Sequence, residues 1–305
     1  MAEYAASAQH HPVPSSPASP QPGGLSLRPR LTTIPFAIDY LLRKGLAPIL
    51  PERSLSHAIQ HAERSSLLPL PRDFRIHPGV CRLGRRVTVE VRPDDARLRR
   101  AVEPWLSRVA ANGKSPTNES DLCLTIAVDA SSIVQPDGYR LSVRERQITL
   151  VGTTSAACFH GLQTLFQCGC HDRDAIPCCE IVDWPDFRTR GLLHDVTRGK
   201  VPTLATLKSL ADRLASLKIN QLQLYIEHAF SFAFDPDIAG PNDALTPDEI
   251  RELDAYCRER FINLVPAVAT LGHMGRILSM PRYRHLAEIE PACEWADLGW
   301  PERAR

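Results

Sequence analysis

The residues with the clearest chemical potential in this chain are polar side chains at the ends of three predicted strands. Arg190 directly precedes the first strand, and Asp195 lies at the end of that strand. Glu227 and His228 follow the second strand, and His273 follows the third. Guanidinium, carboxylate and imidazole groups can hold hydroxyl-rich ligands or move protons. Taken alone, each one is more often a capping or surface residue than a functional one. Because parallel strands collect their loops at one edge, the recurrence favours a shared pocket.

The elements that position these residues alternate between strand and helix. The predicted order is a strand at 191–196, a helix at 204–217, a strand at 222–226, a helix from 246, a strand at 262–268 and a helix at 283–289. The second helix opens on Thr246-Pro247-Asp248-Glu249, which is typical of a capping box with proline at the first helical position. This alternation indicates right-handed βαβ units on a parallel sheet.

A different pattern, of short strands with two helices, precedes residue 183. Alternation of apolar and polar residues predicts a strand at 87–91, and apolar residues at helical spacing predict a helix from 98 to 109. The remaining expected elements are an internal strand at 122–128, a hairpin of 139–143 with 147–151 after the turn at 136–138, and a helix at 154–167. Together they predict a compact α+β domain.

Composition narrows the class of protein. With 36 basic and 35 acidic residues, the net charge of +1 gives no reason to expect a nucleic acid partner. No apolar run reaches the roughly 18 residues of a membrane span, so no membrane partner is expected. Residues 1–66 are predicted to be a disordered tail and linker without a secretory signal. The nine cysteines suit a reducing compartment, and we expect a cytoplasmic protein.

Several motifs together resemble glycoside hydrolase family 20, the β-N-acetylhexosaminidases. They are Asp183-Trp184-Pro185-Asp186-Phe187-Arg188-Thr189-Arg190-Gly191-Leu192-Leu193-His194-Asp195-Val196-Thr197-Arg198, Pro136-Asp137-Gly138-Tyr139, Phe159-His160-Gly161-Leu162-Gln163-Thr164-Leu165, Leu224-Tyr225-Ile226-Glu227-His228-Ala229-Phe230 and Leu271-Gly272-His273-Met274. The last two are similar to the hexosaminidase D-like branch. The resemblance implies a zincin-like α+β domain over 67–182, followed over 183–305 by an incomplete (β/α)8 TIM barrel of about three βα units.

The resemblance also implies roles for the five polar residues. Arg190 matches an arginine that holds sugar ring hydroxyls through paired donors. Asp195 matches a supporting carboxylate, and Glu227 matches an acidic position that accepts a hydroxyl hydrogen bond or orients a neighbour. His273 matches a histidine in a polar relay behind the catalytic acid, and His228 stands where most members have a second aspartate. All five are expected to bind an N-acetylhexosamine-containing glycan, with no cofactor or metal; the oligomeric state is not predicted.

In this family the substrate's own acetamido oxygen attacks the anomeric carbon, while an adjacent Asp-Glu pair orients that group and protonates the leaving oxygen. The resemblance places this pair after the fourth barrel strand. Beyond Glu290 neither Glu294 nor Glu302 follows an aspartate, so no catalytic residue is assigned. The expectation is therefore a truncated, hexosaminidase-like chain that is inactive by itself, or one that another subunit completes.

Two other interpretations stay open. Cys168-Gly169-Cys170-His171 with Cys178-Cys179 offers thiolate and imidazole ligands, although zinc sites usually separate their cysteines by two to four residues. A metal assay discriminates this reading. The second is a non-catalytic carbohydrate-binding or scaffold module, which glycan binding without turnover would favour.

Overall fold

The computed structural model describes residues 67–83, 86–112, 121–169, 175–239, 244–270 and 272–287. The tail and linker predicted for 1–66 lie outside the described residues, as does the segment 288–305.

The first part of the described chain forms a six-stranded mixed sheet. Its strands are β1 (Asp73–Arg82), β2 (Val87–Arg92), β3 (Leu122–Val128), β4 (Tyr139–Val143), β5 (Gln147–Gly152) and β6 (Ala175–Asp183). The spatial order is β1-β6-β4-β5-β3-β2. Strands β2, β3 and β5 pair in parallel, whereas β1, β6, β4 and β5 pair antiparallel. The predicted hairpin is confirmed as β4 and β5.

One face of this sheet is buried by helices α1 (Ala96–Asn112) and α2 (Ser155–Cys168). Alternation along β4 buries Tyr139, Leu141 and Val143 and leaves Arg140 exposed. Helix α2 begins after Thr154, whose hydroxyl accepts a hydrogen bond from the amide of Ala157 at 3.0 Å. Thr154 therefore caps the start of α2, and the apolar residues that follow pack this helix against the central strands of the sheet.

The second sheet contains three parallel strands, β7 (Gly191–Asp195), β8 (Gln221–Ile226) and β9 (Asn263–Val268). Helix α3 (Leu204–Ser216) connects the first two, and α4 (Pro247–Arg258) connects the last two. Alternate residues of β8, namely Leu222, Leu224 and Ile226, are at most 4% exposed and join the core of α3 and α4. The βαβ prediction is confirmed, and the alternation puts the other side chains of β8 on the opposite face.

The third predicted helix is wrong over its described residues. The chain forms a short helix α5 at Gly275–Ser279, and only a single 3-10 turn at Arg284–Leu286. Met280, between them, is extended, with ψ of 132°. It precedes Pro281, and a residue before proline is disfavoured in the helical region because of a clash with the proline ring.

Both sheets lie in one compact unit and share polar contacts. The Gln167 side chain of α2 donates to the carbonyl of Ser216 at 2.9 Å, and Arg100 of α1 pairs with Glu259 at 2.7 Å. The predicted division of the chain at 182 stays a prediction. Among the described residues, no helix has the length and apolar character needed to cross a bilayer.

Candidate functional site

A cluster of charged side chains lies at the carboxyl ends of β7 and β8. At its centre is the guanidinium of Arg198, which follows β7 by three residues. Its Nη1 lies 2.6 Å from Oδ2 of Asp195, and its Nη2 lies 2.8 Å from Oε1 of Glu227. One arginine thus bridges carboxylates from two neighbouring strands and fixes their separation.

Two further side chains complete this cluster. His273, after β9, places its Nδ1 3.5 Å from Oε1 of Glu227 and 3.5 Å from Nη2 of Arg198. The hydroxyl of Tyr225 donates to the same Glu227 oxygen at 3.1 Å, and the Tyr225 and His273 rings meet edge to face with centroids 6.2 Å apart. Three consecutive parallel strands therefore supply one polar surface.

The electrostatics of the cluster keep Asp195 ionised. Burial acts to raise the pKa of Asp195, but hydrogen bonds from Thr197 and the pairing with Arg198 outweigh it and leave this pKa lowered. Burial and the hydrogen bond to Glu227 raise the pKa of Tyr225, so its phenol stays protonated. The side chain of Glu227 is 15% exposed, whereas that of His273 is 62% exposed. This arrangement can bind a polar ligand through fixed acceptors and donors.

The structure brings together three of the five predicted site residues, namely Asp195, Glu227 and His273. His228 lies directly after Glu227 and is half-buried. Sequence reasoning assigned no role to Arg198, although it stands three residues after Asp195 within the same motif. The signal that identifies it is its position just past the carboxyl end of a parallel strand.

Arg190 does not join this cluster, so the expectation that it converges with the others is wrong. It precedes β7, and five residues of strand span about 17 Å. Its Nε donates to the carbonyl of Lys218 and its Nη1 to that of Phe187, both at 2.8 Å. These bonds hold its guanidinium at the amino-terminal end of β7, and a sugar-binding role for Arg190 stays a prediction.

The one adjacent Asp-Glu pair in the sequence, Asp248-Glu249, serves the start of α4. The Glu249 carboxylate accepts from the amide of Thr246 at 2.9 Å, and the Thr246 hydroxyl accepts from the amide of Glu249 at 3.2 Å. Asp248 pairs with Arg251 on the exposed surface of the same helix. This pair is thus occupied in capping, in accordance with the predicted capping box.

The possible thiol site is only partly within the described residues. Cys168, Cys178 and Cys179 are buried, whereas Cys170 and His171 lie outside the described part of the chain. In the segments that the structure describes, no three histidine, cysteine or acidic side chains are grouped so as to hold a metal ion. The metal interpretation stays open at the two residues outside them.

Comparison with known proteins shows which proteins this chain is similar to. The family model described as glycosyl hydrolase family 20, domain 2, matches residues 64–184. A β-hexosaminidase of Porphyromonas gingivalis is 23% identical over 212 residues, which are 60% of this chain and 26% of that protein. The human β-hexosaminidase subunit beta is 29% identical over 154 residues, 47% of this chain and 28% of that protein. Over the part that these matches cover, the chain is similar to members of glycoside hydrolase family 20.

Solved structures resemble this chain at the level of the fold. The chitobiase of Flavobacterium johnsoniae matches with a TM-score of 0.58 and 24% identity, covering 71% of this chain and 36% of that one. This likeness shows the fold. The aligned part of the chain spans between a quarter and a third of the length of these two curated relatives.

Proposed function

We propose that this chain carries part of the sugar-binding surface of a β-N-acetylhexosaminidase-like glycoside hydrolase. The observation that carries the proposal is the guanidinium of Arg198, held at 2.6 and 2.8 Å between Asp195 and Glu227. A guanidinium and two carboxylates offer donors and acceptors at fixed spacing, which suits the adjacent hydroxyls of a hexose. In this proposal Arg198 takes part in holding the ring hydroxyls, and the sugar-binding role expected of Arg190 stays a prediction.

The proposed architecture follows from the order of the strands. Strands β7, β8 and β9 are adjacent in the order of the sequence, and each is added on the same side of the previous one. A doubly wound sheet reverses its order at a switch point, whereas a barrel continues in one direction. We therefore assign β7 to β9 to the beginning of a (β/α)8 barrel, preceded by the zincin-like α+β part.

The proposed reaction is removal of terminal N-acetylhexosamine by the substrate-assisted retaining route. That route needs an acid to protonate the leaving oxygen and a carboxylate to orient the acetamido group. Since the Asp248-Glu249 pair is engaged in capping α4, we expect this chain alone to bind the sugar without hydrolysing it. Loss of general acid catalysis is by itself worth about 10²–10⁴-fold.

Binding and turnover are tested on the same full-length chain. Calorimetric titration with N-acetylglucosamine should show saturable binding, and Arg198→Gln should weaken it by about tenfold to hundredfold, since charge-assisted hydrogen bonds are lost. Arg251→Gln, which removes an exposed arginine on α4, is the matched control and should leave binding unchanged. Equal binding by the wild type and Arg198→Gln would refute the assignment.

Hydrolysis of 4-nitrophenyl N-acetyl-β-glucosaminide separates this proposal from a purely non-catalytic carbohydrate-binding module. We expect no release of nitrophenol above the blank from the chain alone. Turnover that survives removal of host hexosaminidases and is abolished in Arg198→Gln would show that the chain is complete for catalysis. Binding without turnover, even after other polypeptides of the same source are added, would favour the binding module.

A further inference from the structure

Three phenylalanine side chains form a continuous aromatic surface shortly after β8. Phe230, Phe232 and Phe234 alternate with Ser231 and Ala233 along the chain. The ring centroids of Phe230 and Phe232 lie 5.1 Å apart, and those of Phe232 and Phe234 lie 5.4 Å apart. Phe230 and Phe232 are half-buried, whereas Phe234 is 77% exposed. We call these three residues the phenylalanine platform, and the candidate site as described above does not use it.

The backbone beneath the phenylalanine platform is already hydrogen-bonded. The amide of Ser231 donates to the carbonyl of Leu245 at 3.0 Å, and the amide of Leu245 donates to the carbonyl of Ala229 at 3.0 Å. The amide of Asp235 closes a turn by donating to the carbonyl of Phe232 at 3.2 Å. An extended peptide that binds along a strand depends on free main-chain groups. The platform therefore favours a ligand that lies flat against the rings over a peptide that adds a strand.

A carboxylate fixes the phenylalanine platform to the segment that follows β9. Asp235 directly follows Phe234, and its side chain is 10% exposed. It accepts hydrogen bonds from Nε and Nη2 of Arg282, both at 2.6 Å, and from the hydroxyl of Tyr283 at 2.5 Å. The bonds from Tyr283 and Arg282 lower the pKa of Asp235, so the carboxylate stays ionised. Because Phe234 is next to this anchor, a ligand can bind its ring without first ordering the loop.

The phenylalanine platform begins close to the charged cluster around Arg198. Phe230 comes three residues after Glu227, and three residues of extended chain span at most about 11 Å. His273 of the cluster and Arg282 of the anchor both follow β9, so the same two strands carry the cluster and the platform. Loops that follow parallel strands gather at one edge of the sheet. A ligand held at Glu227 therefore has the platform beside it.

The chemistry of the platform suits a sugar ring that is not held by charged groups. An aromatic face is electron-rich, and a β-linked hexose presents a face of C–H groups that such a ring attracts. We propose that the phenylalanine platform stacks against the second sugar of a β-linked glycan whose terminal N-acetylhexosamine lies at the charged cluster. This inference rests on the proposed function, because it names the substrate class of the same site: a glycan of two or more residues.

The proposal is tested by calorimetric titration of the full chain with N-acetylglucosamine and with its β-linked dimer, diacetylchitobiose. The dimer should bind about tenfold more tightly than the monosaccharide, which is the gain expected from stacking one ring. Phe234→Leu, which keeps apolar bulk but removes the aromatic face, should abolish most of this preference, whereas Phe234→Tyr should retain it. Equal affinity of the wild type for the two sugars, or an unchanged preference in Phe234→Leu, would overturn the proposal.

Two further variants separate this proposal from other causes. Phe187→Leu is the matched control, because it changes a phenylalanine that is 73% exposed and precedes β7; it should keep the preference for the dimer. Arg198→Gln should weaken both sugars by the same factor. A preference that depends on Phe234 but binding that is unchanged in Arg198→Gln would support the platform and refute the role of Arg198. Weaker binding in Arg198→Gln without any preference for the dimer would refute the platform alone, and no binding of either sugar would refute both.

A measurement on the wild type shows where the second sugar lies. With fluorine-labelled phenylalanine, diacetylchitobiose should shift the signal of Phe234, which the spectrum of Phe234→Leu identifies by its absence. The signal of Phe187, identified in the same way, should stay in place. A shift at Phe187 without one at Phe234 would overturn the proposal. Self-association in sedimentation that Phe234→Leu abolishes, without a shift from the dimer, would make the platform a contact between copies of the chain and would also overturn it.

Discussion

The buried ion pair between Lys218 and Asp183 allows a sharp prediction of stability. Their side chains are 8% and 11% exposed, and the ammonium nitrogen lies 2.8 Å from Oδ2 of Asp183. Asp183→Asn keeps the shape but removes the negative charge, which leaves an ammonium buried without a counter-ion. Removing one partner of such a pair typically costs about 3–5 kcal/mol of the free energy of unfolding.

Release of the proton from Lys218 sets an upper limit on the stability that Asp183→Asn can lose through the unpaired charge. Lys218, with an ordinary pKa of 10.5, can escape the penalty by losing its proton. At pH 7 that release costs about 4.8 kcal/mol, since each step of one pH value below 10.5 costs about 1.4 kcal/mol. The charge penalty for Asp183→Asn therefore lies between about 3 and 5 kcal/mol. Urea denaturation at pH 7 measures it.

The free energy of unfolding should depend on pH in a definite direction. Burial lowers the pKa of Lys218 even though Asp183 opposes the effect, so above this lowered value the unfolded chain binds more protons and stability rises with pH. In Asp183→Asn the pKa of Lys218 falls further, and the rise begins at a lower pH. The difference in unfolding free energy between the variant and the wild type should therefore shrink between pH 7 and pH 9.5.

Two further variants show whether the unpaired buried charge of Lys218 causes the loss of stability in Asp183→Asn. Asp186→Asn removes a carboxylate that is 65% exposed and pairs with Arg72, and it should cost no more than about 1 kcal/mol. Asp183→Asn combined with Lys218→Met removes both charges and should recover more than half of the loss. A loss for Asp183→Asn as small as that for Asp186→Asn, or no recovery in the double variant, would refute the reasoning.

Three other predictions concern packing, capping and thiol chemistry. Gly161→Ala should destabilise by about 1–3 kcal/mol in urea denaturation, because the new methyl group would lie 2.9 Å from a ring carbon of Tyr139 and against Leu150; no loss would contradict this packing. Thr246→Ala should lose about 1 kcal/mol in the same assay, whereas Thr246→Ser, which keeps the capping hydroxyl, should retain most of the stability. Burial raises the pKa of Cys158 to about 12, so mass-spectrometric mapping of thiol labelling at pH 8 should find it modified far more slowly than half-buried Cys123; equal rates would contradict this.

The sequence predicted those elements whose periodicity is undisturbed. Strands β3, β5 and β8 bury every second residue, and helices α2, α3 and α4 begin directly after the capping hydroxyls of Thr154, Thr203 and Thr246. Patterns of this kind act within one element, so they can be identified from the sequence without knowledge of the tertiary structure. Among them, β8 places Glu227 just past its carboxyl end, beside Asp195 at the end of β7 and His273 after β9.

Two strands escaped individual prediction for identifiable reasons. Strand β1 contains Pro78 and Gly79 and has an irregular register between Ile76 and Val80, so its burial does not alternate. Strand β6 contains Pro177, which cannot donate to a ladder and argues against an interior strand. Yet β6 pairs on both sides, with β1 and β4. Long-range pairing overrides local propensity at both strands, and only the folded chain reveals it.

Arg190 and Arg198, on either side of β7, show which properties a motif specifies and which only the fold determines. Both carry the same guanidinium, and they are separated by a five-residue strand. Strand polarity separates them: Arg198 lies past the carboxyl end of β7 and contacts carboxylates from two strands, whereas Arg190 lies before the amino end and donates to backbone carbonyls. A motif specifies that an arginine is present, but not the direction in which a strand carries it. The same residue type therefore lies in two different surroundings, one formed by carboxylates of two strands and the other by backbone carbonyls.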